Sequence, residues 1–364
     1  MKTSKNYFVK SLILGVFFIL FSNIAFADSN ESKDASESGE EFDTSELIFH
    51  HIKDSYGFHV AGDLSVPLPI ILWTDEGLVT FMSSEFHHDN EGKTIVEKKG
   101  LQFVNVHEKI YQLNAGETEV KYDAEHHPTN AERPLDFSIT KNVFSMLLSL
   151  VVILLIFIAS ARSYRKSENN MPSGIGKFVE PIIVFIRDEV AIPNIGEKHY
   201  GRYMPFLLTL FFFIWLNNIF GLIPFFPFSA NLSGNIAFTM TLAVLTFIIT
   251  LFSSKKYYWN HMLWMPGVPV PMKIFLAPIE FLGMFIKPIA LMIRLFANIT
   301  AGHVIVLSLI SLIFVLNSVW VSPVSVLFTV FISVIEVLVV AIQAYIFTML
   351  SALYFGQALE EDHH

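Results

Sequence analysis

The 364-residue chain has no cysteine. Disulfides, thiolate metal sites and thiol nucleophiles are excluded together. Charge is scarce as well. Only 16% of residues are Asp, Glu, Lys or Arg, against about 25% in soluble domains. Between Tyr203 and Ser254 there is no charged residue at all. There is no phosphate-cradling P-loop, no G-x-G-x-x-G turn, no H-E-x-x-H and no Ser-His-Asp pattern. Nucleotide-binding and hydrolytic enzyme chemistry therefore has no foothold in this sequence.

What fills the space is apolar. Hydrophobic residues make up 53% of the chain, with 36 Phe, which is the composition of a membrane protein. The net charge of −9 averages two unlike parts. Residues 28–140 hold 23 acidic and 8 basic residues, a net of −15, whereas residues 141–364 hold 10 acidic and 13 basic, a net of +3.

The N-terminus reads as a secretory signal over residues 1–27. Lys2, Lys5 and Lys10 form a positive region, Ser11–Phe21 a short apolar core, and Ala25-Phe26-Ala27 a cleavage-type site. An uncleaved anchor is the competing reading; the apolar core is shorter than the about 20 residues a span needs. Residues 28–47 are acidic and Ser-rich, which predicts a disordered tether. Residues 48–140 carry short β-like runs such as PLPIILWT and GLVTFMSS between Gly, Asp and Asn. They predict a small β-rich extension. Its His50-His51, His87-His88 and His126-His127 pairs invite a metal reading. Adjacent side chains on a strand point to opposite faces, so such a pair does not chelate by itself, and no metal site is expected.

Residues 141–357 read as a membrane domain, and 358–364 as a tail. Asn142–Ala161 is a charge-free span, and Gly176–Val190 an amphipathic interfacial segment. Tyr203–Ser254 is a hairpin of two spans, broken by Pro224, Pro227, Asn231 and Gly234. Two long helices follow, over about 272–314 and 323–357. The expected fold is an all-α polytopic membrane protein with five transmembrane helices plus the N-terminal β-rich extension. Lys and Arg cluster after the first and third spans, at Arg162, Arg165, Lys166, Lys255 and Lys256. The positive-inside rule then puts those ends and the C-terminal tail in the cytoplasm, and residues 28–140 outside.

Arg294 is the most informative residue. It lies in PIALMIRLFANITAGHVIVLSL, where its neighbours are apolar or small. An Arg at the bilayer centre costs at least about 2.5–3.5 kcal/mol, so it persists where it faces a protein interior or wet cavity and carries function. Lys273, Glu280, Lys287 and Arg294 recur every seven residues, drifting only about 20° per step around a helix. Asn298 sits one turn beyond on the same stripe. His303 lies nine residues past Arg294, about 900° of rotation, and so points to the other side. On the last helix Glu336 and Gln343, seven apart, share a face. A buried imidazole and carboxylate are the groups a proton path needs. Glu280 and Lys287 also admit a purely structural ion-pair reading, and Gln343 a helix–helix hydrogen bond. Asn217, Asn218, Asn231 and Asn235 read as channel-lining or packing amides, and Pro288 as a helix-shaping residue.

IKPIALMIRLFANITAGHVI, followed about forty residues later by EVLVVAIQAYIFTML, resembles the a subunit of F-type ATP synthases over about residues 135–356. The resemblance implies a non-catalytic stator protein beside a rotating ring of c subunits, with no cofactor. It implies two half-channels at the interface, kept apart by Arg294, which also controls the c-subunit carboxylate. The family's essential Arg matches Arg294, its Asn matches Asn298, its terminal-helix Gln matches Gln343, and its earlier polar positions match Glu280 and Lys287. Many bacterial members have an acid where this chain has His303 and a His where it has Glu336; here the two are exchanged, as in mitochondrial members. The partners implied are the c ring, the b-subunit stalk, other ATP synthase subunits and lipid, with no nucleic acid, in a bacterial inner membrane. Either H⁺ or Na⁺ fits as the coupling ion. A secondary ion transporter is the rival class, but such proteins carry internal repeats, and none is apparent here.

Overall fold

The computed structural model describes residues 53–360, apart from 62–63, 115, 118, 124–127, 167–172, 224–225, 265–267 and 317–320. The expected signal segment, the tether, the His50-His51 and His126-His127 pairs and the last four residues lie outside the described residues.

The extension is β-rich. Its strands are β1 (Gly57–Ala61), β2 (Leu64–Pro67), β3 (Pro69–Thr74), β4 (Gly77–Met82), β5 (Val96–Lys98), β6 (Leu101–Asn105), β7 (Ile110–Leu113), β8 (Ala131–Glu132) and β9 (Leu135–Asp136). They pair antiparallel in three sheets, ordered β1-β2, β4-β3-β9 and β5-β6-β7-β8. The period of two is visible in burial. Ile70 and Leu72 of β3 and Val79 and Phe81 of β4 point inward, and they meet Phe103 and Ile110 in one core.

After β9 the chain turns helical because charge disappears. The helices are α1 (Lys141–Lys166), α2 (Ile175–Phe185), α3 (Ile192–Ile195), α4 (Tyr200–Gly221), α5 (Ile236–Ser253), α6 (Lys256–Leu263), α7 (Val270–Val315) and α8 (Ser322–Leu359). Five of them, α1, α4, α5, α7 and α8, are long and apolar enough to cross a membrane. The segment expected at the membrane interface folds within α2, a π-helical turn at Ile186–Ala191 and α3. Between α4 and α5 lies a short 3₁₀ turn, Leu232–Gly234, and Asn235 caps α5 by accepting from the Ala237 N–H at 2.9 Å. Asn235 is thus a helix cap rather than a channel-lining or packing amide.

Helix α7 has 46 residues and α8 has 38, or about 69 and 57 Å at 1.5 Å per residue. Both exceed the roughly 30 Å hydrocarbon layer, so they run steeply tilted or project from it. Pro278 and Pro288 interrupt the hydrogen-bond ladder of α7.

The membrane-domain core forms where α8 packs on α4, α5 and α7. Leu291, Leu295 and Ile299 of α7, four apart, share one core with Val340, Ala344, Phe347 and Phe355 of α8 and Leu207 and Ile214 of α4. Tyr203 stacks on Phe355 with centroids 5.0 Å apart. The buried face of α8 is rich in small residues, among them Ala344, Thr348, Ser351 and Ala352, which lets helix backbones approach closely in lipid. Ala358 is buried too, and its carbonyl accepts from the Lys255 N–H at 3.0 Å. The last turn of α8 thus packs against the chain leaving α5.

The extension is packed onto the membrane domain. The Asn142 N–H donates to Asp54 Oδ1 at 3.1 Å, and the Lys141 N–H to the Ser55 carbonyl at 2.9 Å. Burial pushes the Asp54 carboxyl up from its ordinary value, against hydrogen bonds from Thr140, Asn142 and Ser55 and the nearby Lys141 charge. The Phe58 ring meets Phe144 at 5.4 Å and Phe226 at 5.3 Å, edge-on in both cases.

Candidate ion-translocation site

The polar stripe of α7 follows from its pitch. Leu291, Leu295 and Ile299 set the buried face. Arg294 is one residue short of Leu295 and so is turned about 100° from it. It is exposed, as is Asn298 one turn on. Among the described residues the Arg294 guanidinium makes no hydrogen bond or ion pair with any of Asn298, Glu336 and Gln343, and it lies within electrostatic reach of Tyr354. Around it α7 exposes Ile286, Ile289 and Ile293. A fixed cation thus stands on an apolar, outward-facing surface.

Lys287 is half-buried, one further step back along the stripe. Its ammonium donates to Gln357 Oε1 at 2.9 Å and lies 5.6 Å from the Tyr354 ring centroid. Glu280 is exposed and within electrostatic reach of Tyr258. Among the described residues no ion pair joins Glu280 to Lys287, so the ion-pair reading gives way to a bridge from α7 to α8. Neither Gln357 nor Tyr354 was singled out from the sequence. Gln357 lies two further seven-residue steps past Gln343, and extending that period would have found it.

On its buried face, with Leu291, Leu295 and Ile299, α7 meets α8. Glu336 and Gln343 are buried, 6% and 5% exposed. The Glu336 carboxyl packs directly on the α7 backbone at Gly302, where a Cβ would collide with Oε1. Gly302 is the residue before His303, which is half-buried. His303 and Glu336 therefore come to the same stretch of α7, with no hydrogen bond between them among the described residues. Glu336 Oε1 is buried and lacks a hydrogen-bond partner there. Any side chain larger than hydrogen at Gly302 would displace that carboxyl.

Buried polar atoms continue toward the α4–α5 turn. Asn217 and Asn218 are 0% and 4% exposed, Asn231 and Ser233 6% and 0%. Asn217 Oδ1, Asn218 Nδ2, Asn231 Nδ2 and Ser233 Oγ have no partner among the described residues. Buried polar atoms left so are costly unless water reaches them. The 3₁₀ turn that carries Ser233 packs against α4, α5 and α7. No group of three or more metal-ligating side chains converges among the described residues, the His87-His88 pair included.

The ATP synthase A chain family matches residues 143–356, and a family described as a domain of unknown function matches residues 47–137. The chain is 44% identical over 233 residues to ATP synthase subunit a of Chloroherpeton thalassium, covering 63% of this chain and 69% of that one. It is 40% identical over 238 residues to ATP synthase subunit a of Anaeromyxobacter sp. Fw109-5, covering 63% of this chain and 56% of that one. It is 45% identical over 230 residues to ATP synthase subunit a 2 of Chlorobaculum tepidum, covering 61% of this chain and 64% of that one. It thus spans less than two thirds of the length of the last two. With five apolar spanning helices and more than half its length matched, the chain belongs to the ATP synthase A chain family, a non-catalytic membrane subunit.

Proposed function

We propose that this protein conducts protons through the membrane sector of a bacterial ATP synthase. The observation that carries the proposal is the placement of Arg294, a permanent cation on the exposed apolar face of α7. That face is the docking surface for the rotating c ring. A c-subunit carboxylate must be neutral while it faces lipid, because a bare anion there is prohibitive. Opposite Arg294 it ionises and releases its proton. The same charge repels protons and keeps two aqueous half-channels from joining.

His303 and Glu336 serve the half-channel on the side of the extension, with the buried amides of the α4–α5 turn lining its wet approach. Asn298 and Gln343 hold the guanidinium's orientation once the ring is docked, and Lys287 and Glu280 serve the other half-channel. The b-subunit stalk and remaining subunits hold this protein as a stator. The basic loops and the C-terminus are cytoplasmic and the extension periplasmic, as the positive-inside rule requires.

The test uses the whole complex in sealed liposomes. Added ATP is expected to acidify the lumen at a rate independent of Na⁺ and abolished by a protonophore. Pumping that requires Na⁺ and persists with the protonophore would assign Na⁺ as the coupling ion, and no ATP-driven ion movement of either kind would overturn the proposal.

A further inference from the structure

The extension supplies none of the residues of the proposed conduction path, yet it packs on the start of α1 and on the α4–α5 turn. Three aromatic rings from separate regions meet there. Phe58 on β1 is 2% exposed, and it is edge-on to Phe144 in the first turn of α1 and to Phe226 in the α4–α5 turn. Phe144 and Phe226 are themselves stacked at 6.1 Å. The Asp54 carboxylate and the Ser55 carbonyl fix the start of α1 by accepting from the Asn142 and Lys141 N–H groups.

From Phe226 the turn runs directly into the polar residues. Phe228 packs on Phe220 of α4 at 4.8 Å, and the Ser229 N–H donates to the Phe220 carbonyl. At Gly221 a Cβ would lie 3.0 Å from the Ala230 carbonyl oxygen, so the turn is seated tightly on the end of α4. Asn231 Oδ1 then closes the 3₁₀ turn by accepting from the Gly234 N–H at 2.9 Å. That turn packs against α7, the helix that bears Arg294 and His303. An unbroken series of contacts thus leads from Phe58 to α7.

We infer that Phe58, through Phe226, is a positioning residue for ion flow: the extension clamps the α4–α5 turn so that Asn231 and Ser233 stay aligned along the half-channel that opens beneath it. This rests on the proposed conduction role of the membrane domain. It gives the domain of unknown function a task, which is to hold the mouth of the channel in its conducting geometry without touching the ion.

Phe58→Ala and Phe226→Ala, each in the full chain and assembled complex, are expected to lower proton flux per complex about three- to tenfold. The double variant should lose less than the product of the two single losses, since both singles remove the shared Phe58–Phe226 contact; multiplicative losses would overturn the inference. Phe226→Leu should recover most of the flux. The loss should appear as a change in how flux depends on pH on the extension side, with the dependence on the opposite pH unchanged; a general loss of stability would alter both. Normal flux per complex in both Ala variants would overturn the inference, as would a loss independent of pH on the extension side. If the single variants do not assemble, a Phe58→Cys/Phe226→Cys pair in this cysteine-free chain replaces them. A cross-link that forms with flux retained supports the clamp, and one that forms and stops flux, or fails to form, overturns it. Loss of conduction in an Arg294 variant alongside normal flux in the clamp variants would remove the clamp alone.

Discussion

Arg294→Ala is expected to abolish ATP-driven proton pumping while the complex still assembles. At a separation of about 4 Å and an effective dielectric of about 20, the guanidinium attracts a carboxylate by about 4 kcal/mol, or about a thousandfold in favour of the ionised form. On the proposed mechanism, the arriving carboxylate then keeps its proton and nothing bars a direct leak once Arg294 is gone. Arg294 is exposed and makes no ion pair among the described residues, so truncation leaves no buried counter-charge stranded in this chain, which is why assembly should survive. Arg294→Lys should retain little activity, because a compact ammonium loses its charge more readily than guanidinium when desolvated. Acidification of inverted vesicles by ATP reads both variants. Pumping near the wild-type rate in Arg294→Ala would remove the central assignment.

The second large effect concerns His303 and Glu336. Glu336 packs on α7 at Gly302, one residue from His303. His303→Glu adds a second acid to a buried site that already holds an unsatisfied carboxyl oxygen, and two like charges at close range resist simultaneous ionisation. Flux should fall at least tenfold. Adding Glu336→His restores one acid and one imidazole, with positions exchanged, and should recover part of the loss. A double variant no better than the worse single one would show that the two positions act independently. The comparison is a double-mutant cycle read in flux per assembled complex.

Much of this architecture is written in one dimension. A charge-free run of twenty apolar residues has few folding options in lipid, so the five spans were legible to within a few residues. Azimuth was legible too. At 100° per residue, Arg294 and His303 must diverge, and Glu336 and Gln343 must coincide. What periodicity does not carry is which residue of one helix meets which of another. The contact of Gly302 with Glu336 depends on the missing side chain of a residue with no chemistry to advertise it. Lys287 looked like a partner for Glu280 on its own helix, but donates to Gln357 on the next. The docking of the extension was equally hidden. Phe58, Phe144 and Phe226 are three among 36 phenylalanines, and nothing in their spacing marks them as neighbours. Short β-like runs predict a small extension but do not say where it sits, and the structure packs it on α1 and the α4–α5 turn through Asp54, Ser55 and Phe58.

The length of α7 has an electrical consequence. Arg294 lies 24 residues after Val270 and 21 before Val315, so it divides the helix almost evenly. A helix about 69 Å long, tilted so that both ends stay at the surfaces of a roughly 30 Å layer, carries its midpoint to mid-depth. A charge fixed there sits about halfway down the membrane potential, where 100 mV is worth roughly half of the about 2.3 kcal/mol per elementary charge of a full crossing.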